Sequence, residues 1–224
     1  TAIPSNLFTN CGEIDSLELP KNLVSIGLNA FYKCIKITSL EIQDTVKTIG
    51  GSAFYQCLSL TTIRIASQVT AISDSLMYGC YNLKSFEFDD SVLTIGKNSF
   101  YNCTNLKTIK MPTSLTTIGQ SAFYQCSSLI EIVFNNNLKS LGITSFYKCL
   151  SLEKVTIPES VTSIGKNSFY GCVSLKNIIF NGLHDLSITY TIFDECSNLT
   201  SISVPKDYQN ETFCGYPIQY GILN

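Results

Sequence analysis

Cysteine and histidine are the side chains of this sequence with the most reactive chemistry, and their spacing limits what they can do. The chain of 224 residues contains ten cysteines and one histidine. Zinc sites use closely spaced ligand pairs such as Cys-x-x-Cys, and the sequence has no such pair. His184 precedes Asp185, but there is no second histidine and no suitable serine partner for a catalytic pair. We therefore expect that the protein is not an enzyme and that it uses no cofactor or metal.

The cysteines instead mark a repeat along the chain. Nine of them follow one another at intervals of 23 residues, apart from a last interval of 24 residues. These are Cys11, Cys34, Cys57, Cys80, Cys103, Cys126, Cys149, Cys172 and Cys196, and Cys214 lies outside the series. A fixed period of about 20 to 29 residues indicates a leucine-rich-repeat solenoid, in which each repeat forms one coil.

Every repeat places apolar residues at the same distances from its cysteine. In one repeat, Phe123 precedes Cys126 by three residues and Leu129 follows it by three. Ile132 and Phe134 follow at six and eight residues, and this alternation predicts a short strand with one buried face. A single coil cannot bury such a face alone, so neighbouring coils would complete one continuous core.

The return half of each repeat contains a glycine and a short aromatic segment. The glycine column predicts a turn with a positive φ angle. It comprises Gly27, Gly50, Gly96, Gly119, Gly142 and Gly165. The segment that follows, residues 120–126 in one repeat, places alanine beside phenylalanine and predicts one tight helical turn.

These elements predict an α/β-type repeat solenoid. We expect a right-handed leucine-rich-repeat coil with one continuous parallel β-sheet of short strands on its concave face and helical turns on its convex side. Residues 1–205 would form the solenoid, with about nine 23-residue repeats. Residues 206–224 break the period and contain several aromatic residues, so we expect them to form a C-terminal cap over the last coil.

The repeat unit resembles that of a known family. As it stands here, C-x-x-L-x-x-I-x-I-P-x-x-L/V-x-x-I-G-x-x-A/S-F-Y-x-C, the unit is similar to the BspA-like, or Treponema-type, leucine-rich repeat. The resemblance covers nearly all of residues 1–205, although Ser73, Leu76 and Met77 depart from the glycine, alanine and phenylalanine columns. Such repeats are typical of surface-exposed adhesion proteins, and the resemblance implies a binding module without catalytic residues.

The resemblance therefore implies a non-enzymatic protein-binding or adhesion module of a surface or secreted protein. Its partners would be host or matrix proteins bound on the concave sheet face, and the alternative is an intracellular scaffold in the cytoplasm. The balance of 15 Lys+Arg against 17 Asp+Glu argues against nucleic acid as a partner. No apolar run approaches the roughly 20 residues that a membrane span needs, and exposed solenoid ends leave self-association open.

The outward face of the predicted sheet is the first candidate binding surface. Its residues lie seven positions after the cysteines and are Glu41, Arg64, Glu87, Lys110, Val133, Thr156 and Ile179. In one interpretation, alternating charges on neighbouring strands contribute only about 0.2–1 kcal/mol per pair to the sheet and have no further role. In the other, the column is a docking strip, charged towards its start and more apolar towards Val133 and Ile179.

A tyrosine column two residues before the cysteines is the second candidate. It comprises Tyr32, Tyr55, Tyr78, Tyr101, Tyr124, Tyr147 and Tyr170. An exposed aromatic stripe can bind a partner, since tyrosine provides contact area at a low cost in conformational entropy. The other interpretation is that the rings of successive coils stack on one another and shield the turns.

The cysteine column itself is expected to consist of buried free thiols. Residues on neighbouring strands lie about 4.8 Å apart, which exceeds the roughly 3.5–4.5 Å between Cβ atoms in a disulfide. A bridge between Cys196 and Cys214 is left open. Asn198 and Asn210 each begin an Asn-x-Thr triplet, which matches the N-glycosylation pattern, and a glycan there would require the secretory route.

Overall fold

The computed structural model describes residues 1–186, 188 and 190–221, and it shows a stack of coils. Parallel strands pair with a shift of 23 residues, so that Ala2 lies opposite Ser25 and Ser25 lies opposite Thr48. Each repeat is one coil, as the cysteine period predicts. The described residues contain no α-helix or 3₁₀-helix, so the predicted helical turns are wrong.

The strands belong to two parallel ladders, which use different parts of each coil. The first ladder consists of β1 (Ala2–Ile3), β2 (Ser25–Ile26), β3 (Thr48–Ile49), β5 (Ala71–Ile72), β7 (Thr94–Ile95), β8 (Thr117–Ile118), β10 (Ser140–Leu141) and β12 (Ser163–Ile164). The second ladder consists of β4 (Thr62–Arg64), β6 (Ser85–Glu87), β9 (Glu131–Val133), β11 (Lys154–Ile157), β13 (Asn177–Phe180), β14 (Ile202–Val204) and β16 (Tyr216–Tyr220). The remaining strand, β15 (Thr212–Phe213), pairs with β16 in the antiparallel direction.

The prediction of one continuous sheet is wrong, because each of the two ladders is interrupted. In the first ladder, β1, β2 and β3 pair in that order, and β5, β7, β8, β10 and β12 form a separate group. In the second ladder, β4 pairs with β6, while β9, β11, β13, β14 and β16 form a separate group. Residues 108–111 lie between these two groups and form no strand.

The first ladder is interrupted where Ser73 replaces a repeat glycine. One coil earlier, the N–H group of Gly50 donates to the carbonyl oxygen of Ile26 at 2.8 Å. The hydroxyl group of Ser73 instead donates to the carbonyl oxygen of Ile49. Because serine carries a Cβ atom, its backbone cannot approach the preceding coil as closely as glycine can.

The second ladder is interrupted beside a pair of phenylalanine rings. Phe86 and Phe88 occupy two positions that face the core, and no other repeat has aromatic residues at both. Their ring centroids lie 4.8 Å from each other, and 4.7 and 6.0 Å from the centroid of Phe100. We attribute the lost pairing with residues 108–111 to the volume of these rings.

The segment between the glycine and the cysteine is a run of turns, because two of its residues adopt left-handed backbone angles. In one coil these residues are Ser121, with a φ of 52°, and Gln125, with a φ of 56°. A right-handed helix cannot continue through such residues. The backbone N–H groups of this segment alternate between two kinds of acceptor. The N–H group of Cys126 donates to the carbonyl oxygen of Phe123 in the same coil, and the N–H group of Phe123 donates to the carbonyl oxygen of Ser145 in the next coil at 2.7 Å.

The repeat glycines are needed for close approach between coils, and the predicted positive φ angle is wrong. Gly27 and Gly142 have no positive φ, and the left-handed residues lie elsewhere in the turn. A Cβ atom on Gly27 would lie 2.4 Å from the backbone nitrogen of Ser5 in the preceding coil. Glycine therefore allows the backbones of two coils to touch at this point.

The core of the stack is built from the predicted columns. The rings of Phe100, Phe123, Phe146 and Phe169 are fully buried and stack with centroid distances of 5.0–5.2 Å. Leucine and isoleucine columns from both ladders surround them and are also buried. The core is therefore continuous along the stack, as expected for coils that cannot bury their apolar faces alone.

The last described part of the chain adds a β-hairpin to the second ladder. Cys214, with a φ of 49°, and Gly215, with a φ of 81°, form the two-residue turn between β15 and β16. The ring of Phe213 lies 4.3 Å from that of Phe180, so the hairpin covers core residues of the preceding coils. The predicted cap, residues 206–224, includes residues 222–224, which lie outside the described part.

Candidate functional site

The outward side chains of the second ladder form one surface, which we call the second-ladder face. Val133, Thr156 and Ile179 lie opposite one another on β9, β11 and β13, in the register that the sequence predicts. Val133 is 60% exposed, and Thr156 and Ile179 are half-buried. The intervening strand residues are buried in the core, since successive side chains of a strand point to opposite faces. The ladder thus presents a short apolar strip to solvent.

The charged part of this face departs from the predicted alternating ladder. Arg64 lies opposite Glu87 on β4 and β6, but its guanidinium group pairs with the carboxylate of Asp44, 3.1 Å away. Glu41 and Lys110 are exposed and lie outside the strands. The structure therefore does not bring the four predicted charges together in one register. Sequence reasoning missed Asp44, because no column of the repeat marks it as a partner for Arg64.

Three open depressions lie along the second-ladder face where strand pairing is missing. The first, of about 500 Å³, lies between β6 and residues 108–112. The second, of about 430 Å³, lies between residues 108–111 and β9. The third, of about 680 Å³, lies between residues 16–21 and 39–43, which form no strands. Sequence reasoning missed these depressions. The occurrence of aromatic residues at both inward positions of one repeat, Phe86 and Phe88, is a sequence signal for the depression between β6 and residues 108–112.

Each buried cysteine of the series joins its coil to the preceding one. The thiol of Cys57 donates to the carbonyl oxygen of Phe31 at 3.2 Å, and the equivalent contact recurs in the other coils at 3.0–3.2 Å. Burial raises the pKa of the Cys80 thiol to about 12. All ten cysteines are free thiols, so Cys196 and Cys214 are not bridged. The column supplies neutral packing groups, as the sequence predicts.

The repeat that organises these features also identifies the chain. The family model described as BspA type Leucine rich repeat region matches residues 1–130 and 116–219. This chain belongs to the BspA-type leucine-rich-repeat family. The resemblance of the repeat unit is thereby confirmed. No curated protein matches the chain.

Solved structures share the fold of this BspA-type chain. A leucine-rich repeat protein from Bacteroides ovatus is 26% identical, with a TM-score of 0.78 over 91% of this chain and 58% of its own length. The leucine-rich repeat protein of T. pallidum, TpLRR, is 32% identical, with a TM-score of 0.57 over 64% of this chain and 71% of its own. The pneumococcal vaccine antigen PcpA is 19% identical, with a TM-score of 0.62 over 94% of this chain and 69% of its own, and shows the fold alone. This chain thus spans 58% of the length of the Bacteroides protein.

The tyrosine column of this BspA-type chain forms a continuous stack. From Tyr32 to Tyr170, successive ring centroids lie 4.5–4.9 Å apart and successive planes are within 12° of parallel. The rings cover one another's faces, and each tyrosine is half-buried. Burial raises the pKa of Tyr101 to about 12. A role of this stripe in binding stays a prediction.

The two candidate glycosylation sites are exposed. The side-chain Nδ2 of Asn198 donates to the carbonyl oxygen of Val173 at 2.7 Å, and Oδ1 of Asn210 accepts from the N–H group of Asp185 at 2.9 Å. Both side chains thus have a defined position on the surface. That they carry glycans stays a prediction.

The polar groups near the single histidine have a structural role. The carboxylate of Asp185 accepts hydrogen bonds from the backbone N–H groups of Leu186, at 2.7 Å, and Cys214, at 3.0 Å, while His184 is exposed.

Within the described ranges, the BspA-type chain has no group of three or more His, Cys, Asp and Glu side chains that could hold a metal ion. The same ranges contain no helix with the length and apolar character needed to cross a membrane.

Proposed function

We propose that this chain is a non-enzymatic protein-binding module of a surface or secreted protein, and that it binds a host or matrix protein on its second-ladder face. The observation that carries the proposal is the strip formed by Val133, Thr156 and Ile179, which lie opposite one another on paired strands. Val133 is exposed, and the other two residues are half-buried. A partner that covers this strip gains about 25 cal/mol for each Å² of apolar surface removed from water. Membership of the BspA-type family supports the proposal, since the resemblance implies adhesion proteins.

The rigidity of the ladder also supports this face. β9, β11, β13 and β14 pair in parallel, and their inward side chains are part of the core. The outward side chains are therefore pre-organised, and little conformational entropy is lost when a partner binds. A stable interface covers about 800 Å² on each partner, so it would extend beyond the strip to the charged neighbours Glu131 and Lys154. Nζ of Lys154 lies 3.9 Å from Oε1 of Glu131.

Site-specific photo-crosslinking tests which surface binds. A benzophenone side chain is placed at Thr156 on the second-ladder face, or at Ser163 on the first ladder of the same coil. The two proteins are irradiated with extracellular-matrix and cell-surface fractions, and adducts are identified by mass spectrometry. We expect a defined adduct from position 156 and none from position 163. Equal adducts from both positions, or adducts from position 163 alone, would exclude the second-ladder face.

The alternative, an intracellular scaffold with the same fold, is favoured by one observation. All ten cysteines are free, and free thiols are usual in a reducing compartment. Mass spectrometry of protein from its native source separates the two proposals. A glycan at Asn198 or Asn210 requires the secretory route and would exclude the scaffold, whereas recovery of the protein in the cytosolic fraction would exclude the surface module.

A further inference from the structure

The interruption of the second ladder creates an opening between coils that stay joined elsewhere. On the first ladder, β7, β8 and β10 pair without a break, with Thr94 opposite Thr117 and Thr117 opposite Ser140. On the second ladder, residues 108–111 pair with neither β6 nor β9, although the N–H group of Ile130 still donates to the carbonyl oxygen of Lys107 at 3.2 Å beside the gap. Strand pairing is thus complete on one ladder and missing over residues 108–111 on the other, where two adjacent slots lie.

The two slots differ in chemistry. The slot between β6 and residues 108–112, which we call the acidic slot, is lined by Glu87, Asp89 and Asp90, with Lys110 as its one cationic side chain, beside apolar residues such as Phe88. The slot between residues 108–111 and β9, which we call the apolar slot, is lined by Ile109, Met111, Val133 and Phe134, of which only Val133 is exposed, together with Lys110 and Glu131. One slot therefore favours a cation, and the other favours an aliphatic group.

Two of the three carboxylates of the acidic slot are held in place by backbone hydrogen bonds. Oδ1 of Asp90 accepts the backbone N–H group of Thr113 at 2.8 Å, and this hydrogen bond lowers the pKa of Asp90. Oδ1 of Asp89 accepts the N–H group of Ser91 at 3.0 Å. Glu87 is exposed on the last residue of β6. The slot therefore has more negative than positive side chains at neutral pH.

The backbone between the slots is also open to hydrogen bonding. In the described structure, no N–H or C=O group of residues 108–111 bonds to another backbone group. A partner segment that crosses this backbone from one slot to the other can bond to it at the crossing point. Peptide recognition by extended segments combines main-chain bonds with pockets for alternate side chains.

We infer that the two slots bind one extended segment of a protein partner, which places a lysine or arginine in the acidic slot and an aliphatic side chain, two residues away, in the apolar slot. This inference rests on the proposed function and adds the chemistry of the partner. Side chains two residues apart in an extended segment are about 6.6 Å from each other. The two slots lie on opposite sides of residues 108–111, so they are one coil apart, and paired coils are about 4.8 Å apart. Side chains two residues apart in one extended segment can therefore reach both slots.

The test uses synthetic peptides and exposed-surface variants. The probe is a fluorescent peptide of alternating threonine and serine with a central Lys-Thr-Leu, and the control peptides carry Glu-Thr-Leu or Lys-Leu-Thr instead. Binding is measured by fluorescence anisotropy with the full chain and with the variants Glu87→Lys and Val133→Asp. Glu41→Lys is the matched control, since Glu41 has the same place in its repeat but lies outside both slots.

We expect the Lys-Thr-Leu peptide to bind at least about tenfold more tightly than either control peptide. Glu87→Lys and Val133→Asp should each weaken binding of the Lys-Thr-Leu peptide by about tenfold, and Glu41→Lys should weaken this binding by less than about twofold. Equal binding of the three peptides, or an equal effect of Glu41→Lys, would overturn the inference. So would a dimer of the chain that dissociates on Glu87→Lys, because a second copy would then be the occupant. If position 156 crosslinks a partner and the peptides bind equally, the inference fails while the proposed function stands.

Discussion

The thiol of Cys126 donates a hydrogen bond to the carbonyl oxygen of Phe100 in the preceding coil, with Sγ and the oxygen 3.1 Å apart. The same carbonyl accepts the backbone N–H group of Cys103 at 3.2 Å. Because this oxygen lies beside fully buried side chains, both of its hydrogen bonds replace contacts with water. The cysteine column therefore fills space between the coils and also satisfies a buried acceptor.

Replacing Cys126 with alanine should destabilise the protein by about 1–3 kcal/mol, because the variant loses the sulfur and leaves the Phe100 carbonyl with one partner. The free energy of unfolding from urea denaturation measures this. Thr70→Ala, at an exposed position, is the control and should change the value by less than about 0.5 kcal/mol. A loss at Cys126 no larger than at Thr70 would show that the thiol contact contributes nothing.

The free energy of unfolding should fall as the pH rises above 9. The pKa of Cys80 is raised by burial from 9.0 to about 12, so between these values the unfolded chain loses a proton that the folded chain keeps. The contribution of the Cys80 thiol to the free energy of unfolding is fully present below pH 9 and is lost progressively as the pH approaches 12. Urea denaturation across this range measures the decline. The free energy of unfolding should decline less steeply with pH in Cys80→Ala, by up to about 1.4 kcal/mol per pH unit. An equal slope in the two proteins would show that Cys80 does not cause the decline.

Gly142→Ala should destabilise the protein by about 1–3 kcal/mol, because the added Cβ would lie 2.5 Å from the backbone nitrogen of Gln120 in the preceding coil. Gly12→Ala is the matched control, since the nearest atom to its Cβ is a side-chain carbon of Ile35 at 3.5 Å. Thermal unfolding of both variants provides the comparison. Similar midpoints for the two variants would mean that the coils can separate at the glycine column without cost.

Phe123→Ala should destabilise the protein by about 3–5 kcal/mol, because the ring is fully buried between Phe100 and Phe146. Tyr124→Ala removes a neighbouring ring that is only half-buried, and we expect a smaller loss. Guanidinium denaturation distinguishes the two variants. A larger loss for Tyr124 than for Phe123 would place the main packing energy in the outer stack.

The turn segment shows where sequence reasoning did not extend to the structure. Small residues beside phenylalanine favoured a helical turn over residues 120–126, but Ser121 and Gln125 adopt left-handed angles. Neither serine nor glutamine favours that region, so their identity could not predict it. The angles arise because alternate N–H groups bond to the next coil, as from Ser121 to Ile143 at 2.9 Å.

The period and the buried columns were determined by the sequence alone. Equal spacing places equivalent residues above one another, so Phe123, Cys126 and Leu129 had to share one core with their counterparts in other repeats. The same spacing set the register of Val133, Thr156 and Ile179.

Only the tertiary structure decided where the two ladders break and which charges meet. The slot between β6 and residues 108–112 depends on how the rings of Phe86 and Phe88 fit against the core of the next coil. The pairing of Arg64 with Asp44 depends on which carboxylate a long side chain can reach across a coil. Both results come from volumes and distances between coils, which a repeat pattern that treats all coils as equal does not contain.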